Sequence, residues 1–288
     1  MTRIAVLTPD PADKSYIGRW PEVLARLKAT LETTGAEITP TPWTDHVEDA
    51  SGLEGHDLIL PVIAWGYHRD HARWLKACAT WATAGLPIAN AASVLGWNSD
   101  KTYLARLADK GVPIPPTRWS EAITQDQVDA AFAETGAPTL IIKPTVSAGA
   151  FRTLRLTPGQ PLTEAPEGPA MIQPYLKSIE TEGETSLLFF GGRFSHAVNK
   201  RPVPGDFRIQ IQFGGLYTTV TPDAAALALA EQVLAAVEEP LLYARIDLAR
   251  DDAGAWVLME AELIEPDFYL DHDPANGSGF AEAVRNRL

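Results

Sequence analysis

Three carboxylates in residues 243–266 are the side chains of this sequence whose types and spacing most directly suggest chemistry. The segment predicts two strands joined by a turn at 251–254, where a glycine suits positive φ. Glu260 and Glu262 are two residues apart, so they share one face of the second strand, and Asp247 of the first strand can join them. Converging carboxylates repel unless a cation lies between them, and Mg²⁺ takes oxygen ligands. The pattern predicts a magnesium site, with a solvated acidic hairpin face as the alternative.

Two lysines could face phosphate groups. Lys143 ends a predicted strand at 139–144, and a loop of small residues that includes Ser147 and Gly149 follows it. Such a loop can aim backbone N–H groups at phosphate oxygens, while the lysine adds a point charge. Lys101 lies in a predicted helix at 98–110. A simple small-residue turn is the alternative interpretation of the loop.

The elements before residue 95 predict an α/β unit. Helices are predicted at 20–34 and 68–85, between strands at Arg3–Thr8, Glu37–Pro42, 56–63 and 86–90. This alternation indicates an open, mainly parallel sheet. The glycine patterns of dinucleotide-binding turns and of P-loops are absent.

The rest of the chain predicts further strands and helices around a Pro-rich connector near residues 95–118. Helices are expected at Gln125–Thr135, 222–239 and 279–288. Strands are expected at 170–176, 186–190, 194–198, 206–213 and the two of the acidic hairpin. A hinge at Gln173, Tyr175 and Leu176 separates the first of these strands from an acidic stretch that contains Glu180 and Glu184.

Composition narrows the classes of function. The chain has 288 residues and a net charge of −13, which disfavours binding to nucleic acid. No apolar run reaches the roughly 20 residues that a membrane span needs. Cys78 is the single cysteine, so we expect a buried thiol and no disulfide. We therefore expect a cytoplasmic protein without a membrane or nucleic-acid partner.

The histidines give a weaker signal. His68 and His71 would share a helix face, but no third zinc ligand is evident. Tyr67, His68 and Arg69 follow a predicted strand, where ligands of parallel sheets bind, so they are candidates for a substrate pocket. The polar start of an ordinary helix is the alternative.

Taken in order, these pieces resemble the ATP-grasp superfamily over roughly residues 1–270. The matching stretches are NSDKTYL, IIKPTVSAGAFRT, MIQPYLKSIETEGETSLLFF, HAVNKRPVPGDFRIQ, and RIDL with LMEAELIEP. The resemblance implies a Rossmann-like domain followed by two α+β subdomains that hold ATP between them. It also implies that Mg²⁺, or Mn²⁺ in its place, bridges the phosphates, that a carboxylate becomes an acylphosphate, and that an amine then displaces the phosphate.

The same resemblance assigns expected domains and roles. It implies a substrate domain at 1–95, a connector at 96–118, a small subdomain at 119–183 and a metal-binding subdomain at 184–288. Nucleotide-binding residues would be Lys101, Lys143, Ser147, Gly149, Gln173, Tyr175, Leu176 and either Glu180 or Glu184. Catalytic cations would be Lys200, Arg208 and Arg245. The metal ligands would be Asp247, Glu260 and Glu262.

Within the superfamily, the phrases are most similar to the glutathione-synthetase-like branch and to the cyclo-ligases of cycloserine biosynthesis, which close O-ureido-serine into a ring. That similarity implies a small amino-acid-like substrate and, because related ligases form dimers or tetramers, a homo-oligomer. A ligase that joins two amino acids and a nucleotide-binding regulator without turnover are the alternatives. One departure is Glu262, where many relatives carry asparagine, so the number of metal ions stays open.

Overall fold

The N-terminal part of the chain forms a three-stranded parallel sheet. In this computed structural model, which describes residues 1–16 and 18–288, β1 (Arg3–Thr8) lies between β2 (Glu37–Pro42) and β3 (Leu58–Leu60). Helices α1 (Trp20–Glu32) and α2 (His71–Thr83) accompany the sheet. The parallel order confirms the predicted α/β unit.

The expected fourth strand at 86–90 was wrong. This segment makes a single parallel bridge, from Ile88 to Ile59. Pro87 has no N–H to donate to a ladder. The side chain of Asn90 instead bonds to backbone groups of a different sheet, at Leu242, Tyr243 and Leu263.

The helix expected at 98–110 is shorter than predicted and forms α4 (Tyr103–Asp109), and the separate helix α3 (Ala92–Asn98), which was not predicted, precedes it. Lys101 therefore lies in a turn and not on a helix. Ser99 Oγ donates to the carbonyl of Gly96, and Asp100 Oδ1 accepts from the backbone N–H of Thr102. Short polar side chains compete with helical backbone bonding in this way, which explains the break.

The middle of the chain forms a four-stranded antiparallel sheet in the order β4-β7-β5-β6. The strands are β4 (Arg118–Ser120), β5 (Leu140–Pro144), β6 (Leu154–Leu156) and β7 (Ala170–Pro174), and α5 (Gln125–Thr135) packs on the sheet. The core between them includes Val128, Ile142 and Ile172. The short strands β4 and β6 were not predicted, since three residues carry little periodicity.

The C-terminal part forms a five-stranded antiparallel sheet in the order β10-β9-β8-β11-β12. Its strands are β8 (Glu184–Phe190), β9 (Arg193–Arg201), β10 (Leu216–Val220), β11 (Tyr243–Arg250) and β12 (Trp256–Glu262). The helices of this part are α6 (Ser178–Thr181), α7 (Ala224–Val237) and α8 (Ser278–Arg285). Together, the parallel and antiparallel sheets confirm the predicted α/β and α+β architecture.

The strand expected at 206–213 was wrong. Residues 203–215 form a loop with one 3-10 turn at Ile211–Phe213, and the strand that pairs with β9 is β10. Asp206 explains the difference, because its Oδ1 accepts hydrogen bonds from the backbone N–H groups of Phe207 and Arg208. These local bonds replace the ladder bonds of a strand.

The parallel sheet packs against the five-stranded sheet. Ile4 and Leu60 of the parallel sheet belong to the same buried cluster as Phe190, Tyr243 and Phe280 of the C-terminal part. Aromatic rings dominate this contact, with the Phe268 and Phe280 centroids 4.7 Å apart. The ends of all three sheets consequently border one cavity, which is the candidate site.

Candidate active site

The acidic hairpin brings its three carboxylates together as the two-residue period predicts. In the antiparallel register, Asp247 pairs with Glu260 and Arg245 pairs with Glu262. One carboxylate oxygen from each of Asp247, Glu260 and Glu262 lies within 4.8 Å of the others. This spacing allows one divalent cation to reach all three.

The position of β12 is fixed by side chains from the connector region. β12 is an edge strand, and an unpaired edge needs other hydrogen-bond partners. Asn98 Nδ2 donates to the carbonyl of Ala261, while Asn98 Oδ1 accepts from Leu263 N–H. The Tyr103 hydroxyl accepts from Ala261 N–H at 2.8 Å. These bonds are made to residues adjacent to Glu260 and Glu262, and they fix the position of both glutamates on the edge strand.

Buried cations balance the carboxylates. Lys200 Nζ lies 2.7 Å from Glu184 Oε1 and 3.1 Å from Asp247 Oδ2, and only 4% of its side chain is exposed. The Arg245 guanidinium bonds to Asp247 and also contacts Glu262. The second oxygen of Asp247 accepts from the hydroxyl of Ser186 at 2.6 Å. Asp247 is thus held by two cations and a hydroxyl.

The protonation states follow from these contacts. Burial opposes ionisation of Asp247, but Arg245 and Lys200 hold its pKa well below the usual range. Burial raises the pKa of Glu262 to about 7, with Glu260 and Asp247 adding to the rise. Burial also opposes ionisation of Glu260, yet Lys101 and Lys143 keep its pKa below the ordinary value. The site therefore holds carboxylates of different proton affinity.

Lys101 and Lys143 enter the site from the opposite side. Lys101 Nζ lies 2.9 Å from Glu260 Oε1 and donates to the carbonyl of Ser147, also at 2.9 Å. Lys143 projects from β5 into the cavity, where burial lowers its pKa. Both lysines predicted to contact phosphate consequently face the cavity beside the carboxylates.

The small-residue loop after β5 has an unusual backbone. Gly149, Ala150 and Arg152 all have positive φ, at 61°, 61° and 53°. Ala150 and Arg152 are strained there, because a side chain disfavours this region. The hydroxyl of Ser147 donates to the carbonyl of Pro144 at 3.2 Å. The stretch at 147–150 faces the cavity with little side-chain bulk, as a phosphate-contacting loop requires, and Phe151 lines the cavity beside it.

The predicted hinge also lines the cavity. Gln173 turns its side chain away, donating to the hydroxyl of Thr117 at 2.9 Å, while Tyr175 and Leu176 face the cavity. Glu180 accepts from the Tyr175 hydroxyl at 3.0 Å and pairs with Arg155, and it does not line the cavity. Glu184 does line it. The two acidic candidates for the ribose thus differ in position.

Arg208 lies on the loop at 203–215, apart from the other predicted cations. Its guanidinium bonds to Asp206 at 2.8 Å and lies 3.7 Å from the ring centre of Phe213. The side chain is 38% exposed, in contrast to the buried Lys200 and Arg245. Both Arg208 and Phe213 border the cavity, so this loop forms one of its walls.

The cavity has a volume of about 650 Å³, which suits a ligand of nucleotide size. One end is apolar and the other carries the charges. The apolar wall, which includes Ile141, Ile209 and Met259, was not predicted from the sequence. No periodic signal separates these residues from ordinary core residues. Sequence analysis also assigned no role to Glu265, which follows the hairpin and lines the charged end.

Among the described residues, the cluster of possible metal ligands contains neither a histidine nor the cysteine. His71 Nε2 lies 2.8 Å from Ser99 Oγ, while His68 borders the cavity. Burial lowers the pKa of His68 to about 4, so its imidazole is neutral near pH 7. Burial raises the pKa of the Cys78 thiol to about 12, as expected for an inert buried cysteine. Tyr67, His68 and Arg69 do line the cavity, as predicted for a substrate pocket.

Comparison with solved structures defines the class of fold. No family model matches the chain. The structure superposes on D-alanine–D-alanine ligase from Bacillus anthracis with a TM-score of 0.73, at 16% identity over 100% of this chain and 99% of that one. It also superposes on the ATP-grasp ligase PsnB with a TM-score of 0.67, at 14% identity over 99% and 98% of the two chains. The chain has the fold of the ATP-grasp ligases, as the resemblance predicted.

A more similar relative is the cycloserine biosynthesis protein DcsG of Streptomyces lavendulae. It is 28% identical over 286 residues, which span 91% of this chain and 92% of the relative. The crystal structure of D-cycloserine synthetase DcsG superposes with a TM-score of 0.80, at 24% identity over 99% of both chains. The predicted similarity to a cycloserine-forming enzyme is confirmed at this level. No described helix has the length and apolar character required to cross a membrane.

Proposed function

We propose that this protein is an ATP- and Mg²⁺-dependent ligase that activates a substrate carboxylate and joins it to an amine. The observation that carries the proposal is the meeting of three carboxylates with Lys101 and Lys143 in one nucleotide-sized cavity. Phosphoryl transfer depends on positioning and charge neutralisation more than on covalent chemistry by the protein. A cavity that contains cations and metal-type carboxylates without a nucleophile–histidine pair fits that requirement.

The residues present fit a magnesium ion. Asp247, Glu260 and Glu262 offer oxygen ligands within reach of one another, which is the donor set that Mg²⁺ prefers. Lys101 and Arg245 neutralise Glu260 and Glu262 in this structure. A bound Mg²⁺ would take over that neutralisation, and the two cations could then bind other anionic groups. When bound, the ion neutralises phosphate charge.

The same cavity accommodates the nucleotide. Its apolar wall of Ile141, Ile209 and Met259 suits an adenine ring, next to the hinge backbone at Tyr175 and Leu176. Glu184 is the better placed of the two ribose candidates, because it lines the cavity and Glu180 does not. Lys101, Lys143 and the backbone of Ser147 and Gly149 lie at the charged end, where the phosphates would be.

The proposed reaction has two steps within this site. A carboxylate oxygen of the substrate bonds to the γ-phosphorus as the bond to ADP breaks. An amine then bonds to the carbonyl carbon, phosphate leaves and the nitrogen loses a proton. Arg245 and Lys200 lie beside the carboxylates and stabilise negative charge there, while Arg208 lines the cavity from the loop at 203–215. Holding both reacting groups in one pocket supplies the proximity advantage.

Similarity to DcsG favours an intramolecular version of this reaction. That relative takes part in cycloserine biosynthesis, so we propose that this chain cyclises O-ureido-serine or a close analogue. The second candidate is an intermolecular ligase that joins two amino acids, favoured by the fold shared with D-alanine–D-alanine ligase. Either substrate is small and amino-acid-like.

Release of ADP tests the proposal. The purified protein would be screened with ATP over amino acids and ureido analogues, with and without Mg²⁺. We expect substrate-dependent and Mg²⁺-dependent release, abolished in Lys143→Ala and Glu260→Ala but kept in the surface variant Glu231→Gln. Substrate-independent nucleotide binding without release would support a regulatory protein instead. Full turnover in both site variants would refute the assignment of the site.

Several finer features stay predictions. Mn²⁺ in place of Mg²⁺ is expected to support turnover, since both ions accept carboxylate oxygens. A homo-oligomer, a cytoplasmic location and the absence of a nucleic-acid partner are expected from the sequence. The domain limits at 95, 118 and 183 are likewise proposals.

A further inference from the structure

Glu265 differs from the other acidic residues at the charged end of the cavity. It lies three residues beyond Glu262, where the chain leaves β12. Glu184, Asp247, Glu260 and Glu262 each have a lysine or arginine nitrogen within 4.0 Å. In the part of the chain that the structure describes, Glu265 has no such ion pair and accepts no hydrogen bond. It therefore borders the ligand cavity as an acidic group without a partner.

The two cations whose charges lower the pKa of Glu265, Arg245 and Lys101, are already committed. Arg245 is bound by Asp247 and Glu262, and Lys101 by Glu260 and the Ser147 carbonyl. Glu265 is partly buried, and a carboxylate drawn from water without a partner is costly, so such a group is normally paired. Burial raises the pKa of Glu265 well above its usual range, and Glu262 adds to the rise. A cationic ligand group would relieve both effects.

The neighbours of Glu265 belong to the N-terminal part of the chain. At the charged end of the cavity, burial raises the pKa values of Tyr67 and Tyr16, and the charge of Glu265 adds to both rises. Tyr16, Trp65 and Tyr67 all border that end. Arginine side chains already lie over two of these rings, Tyr16 and Trp65, so this end of the cavity holds organic cations against aromatic faces.

We infer that Glu265 binds the primary ammonium group of the substrate amino acid. This inference rests on the proposed function, because it places the substrate carboxylate at the metal-binding carboxylates and the ammonium group beside Glu265. Glu265 accordingly selects amino acids over carboxylic acids that lack the amino group.

Binding measurements test this inference without requiring turnover. O-ureido-serine and its desamino counterpart would be titrated calorimetrically into the protein with Mg²⁺ and a non-hydrolysable ATP analogue. We expect the wild type to bind the amino acid about tenfold to a hundredfold more tightly, as loss of a charge-assisted hydrogen bond implies. Glu265→Gln keeps the shape of the side chain and should lose most of that preference. Nucleotide affinity, measured separately, should be unchanged.

Two matched variants sharpen the outcome. Asp267 also lines the cavity without an ion pair among the described residues, so Asp267→Asn removes the same charge two residues away. An equal loss of preference in Asp267→Asn would overturn the inference, because general negative potential would then explain it. Surface variant Glu231→Gln should behave as wild type. A wild type without preference, or a Glu265→Gln protein that keeps it, would also overturn the inference.

The test separates the inference from the proposed function. ADP release by the wild type with no dependence on Glu265 would contradict the inference alone. A preference for the amino acid that depends on Glu265, without any ADP release, would support ammonium recognition and contradict the proposed ligase reaction.

Discussion

The acidic hairpin and the loops opposite it line the same cavity but are built differently. The carboxylates of β11 and β12 are carried by paired strands and bonded to buried cations. The loop after β5 and the loop at 203–215 carry strained or exposed residues, and Arg208 finds its partner only two residues away. The contrast indicates that the hairpin is a fixed wall, preorganised to hold charged groups. The two loops form an adjustable wall, which can change to fit a nucleotide.

The largest expected effect is on catalysis at the fixed wall. Glu260→Gln removes a proposed metal ligand while keeping the shape of the side chain, which is 31% exposed. We expect the rate of ADP release to fall by at least about a hundredfold, as for loss of a group that organises a metal. The thermal midpoint should change little. A small rate loss, matched by Glu231→Gln, would contradict the metal assignment.

The free energy of unfolding should depend more on ion pairs of the fixed wall than on those of the adjustable wall. Asp247→Asn leaves Lys200 and Arg245 buried with less compensation, so we expect a loss of about 3 kcal/mol in the free energy of unfolding. Asp206→Asn, which breaks the exposed pair with Arg208, should shift the urea midpoint far less. Equal shifts would show that the hairpin is no more rigidly built than the loop.

The pH dependence of nucleotide binding should reveal Lys143. Burial lowers the pKa of Lys143, so it loses its proton at a lower pH than a free lysine does. Wild-type affinity for ATP should therefore begin to fall at a lower pH than loss of a proton from a free lysine, with its pKa of about 10.4, would cause. Lys143→Arg, whose guanidinium stays protonated, should retain more of its affinity in fluorescence titrations. An identical decline in both proteins would argue against a phosphate contact by Lys143.

The smallest expected effect concerns the backbone of the loop after β5. Gly149 has a φ of 61°, and an added Cβ would lie 3.6 Å from Gln212 Nε2, an ordinary contact. Gly149→Ala should cost about 1 kcal/mol from the backbone conformation alone. Gly149→Asn should cost less, because asparagine tolerates this conformation. Denaturant unfolding of the two variants provides the comparison, and equal losses would indicate a steric cause instead.

Local patterns predicted the fixed wall better than the adjustable one. The two-residue period placed Asp247, Glu260 and Glu262 on one face because strand geometry dictates it. The same two-residue period predicted a strand at 206–213, because it takes no account of the hydrogen bonds that the Asp206 side chain accepts. Sequence analysis also extended one helix across Lys101, where Ser99 and Asp100 break the backbone pattern.

Long-range contacts could not be predicted from the sequence. Asn90 and Asn98 bond to backbone groups more than 150 residues away in the chain. No local sequence pattern indicates that these two side chains fix the positions of β11 and β12. The resemblance to ATP-grasp ligases supplied the order of the site residues, but it assigned no role to Glu265. Its lack of an ion pair becomes visible only once the partners of the other carboxylates are known.

Transfer of a heavy-oxygen label tests the central claim most directly. O-ureido-serine labelled in its carboxylate oxygens would be incubated with ATP, Mg²⁺ and the wild-type protein, and the released inorganic phosphate analysed by mass spectrometry. Activation of the carboxylate by phosphoryl transfer predicts one labelled oxygen in each phosphate released, and none in the absence of Mg²⁺. Unlabelled phosphate released alongside product would contradict the claim that this site forms an acylphosphate.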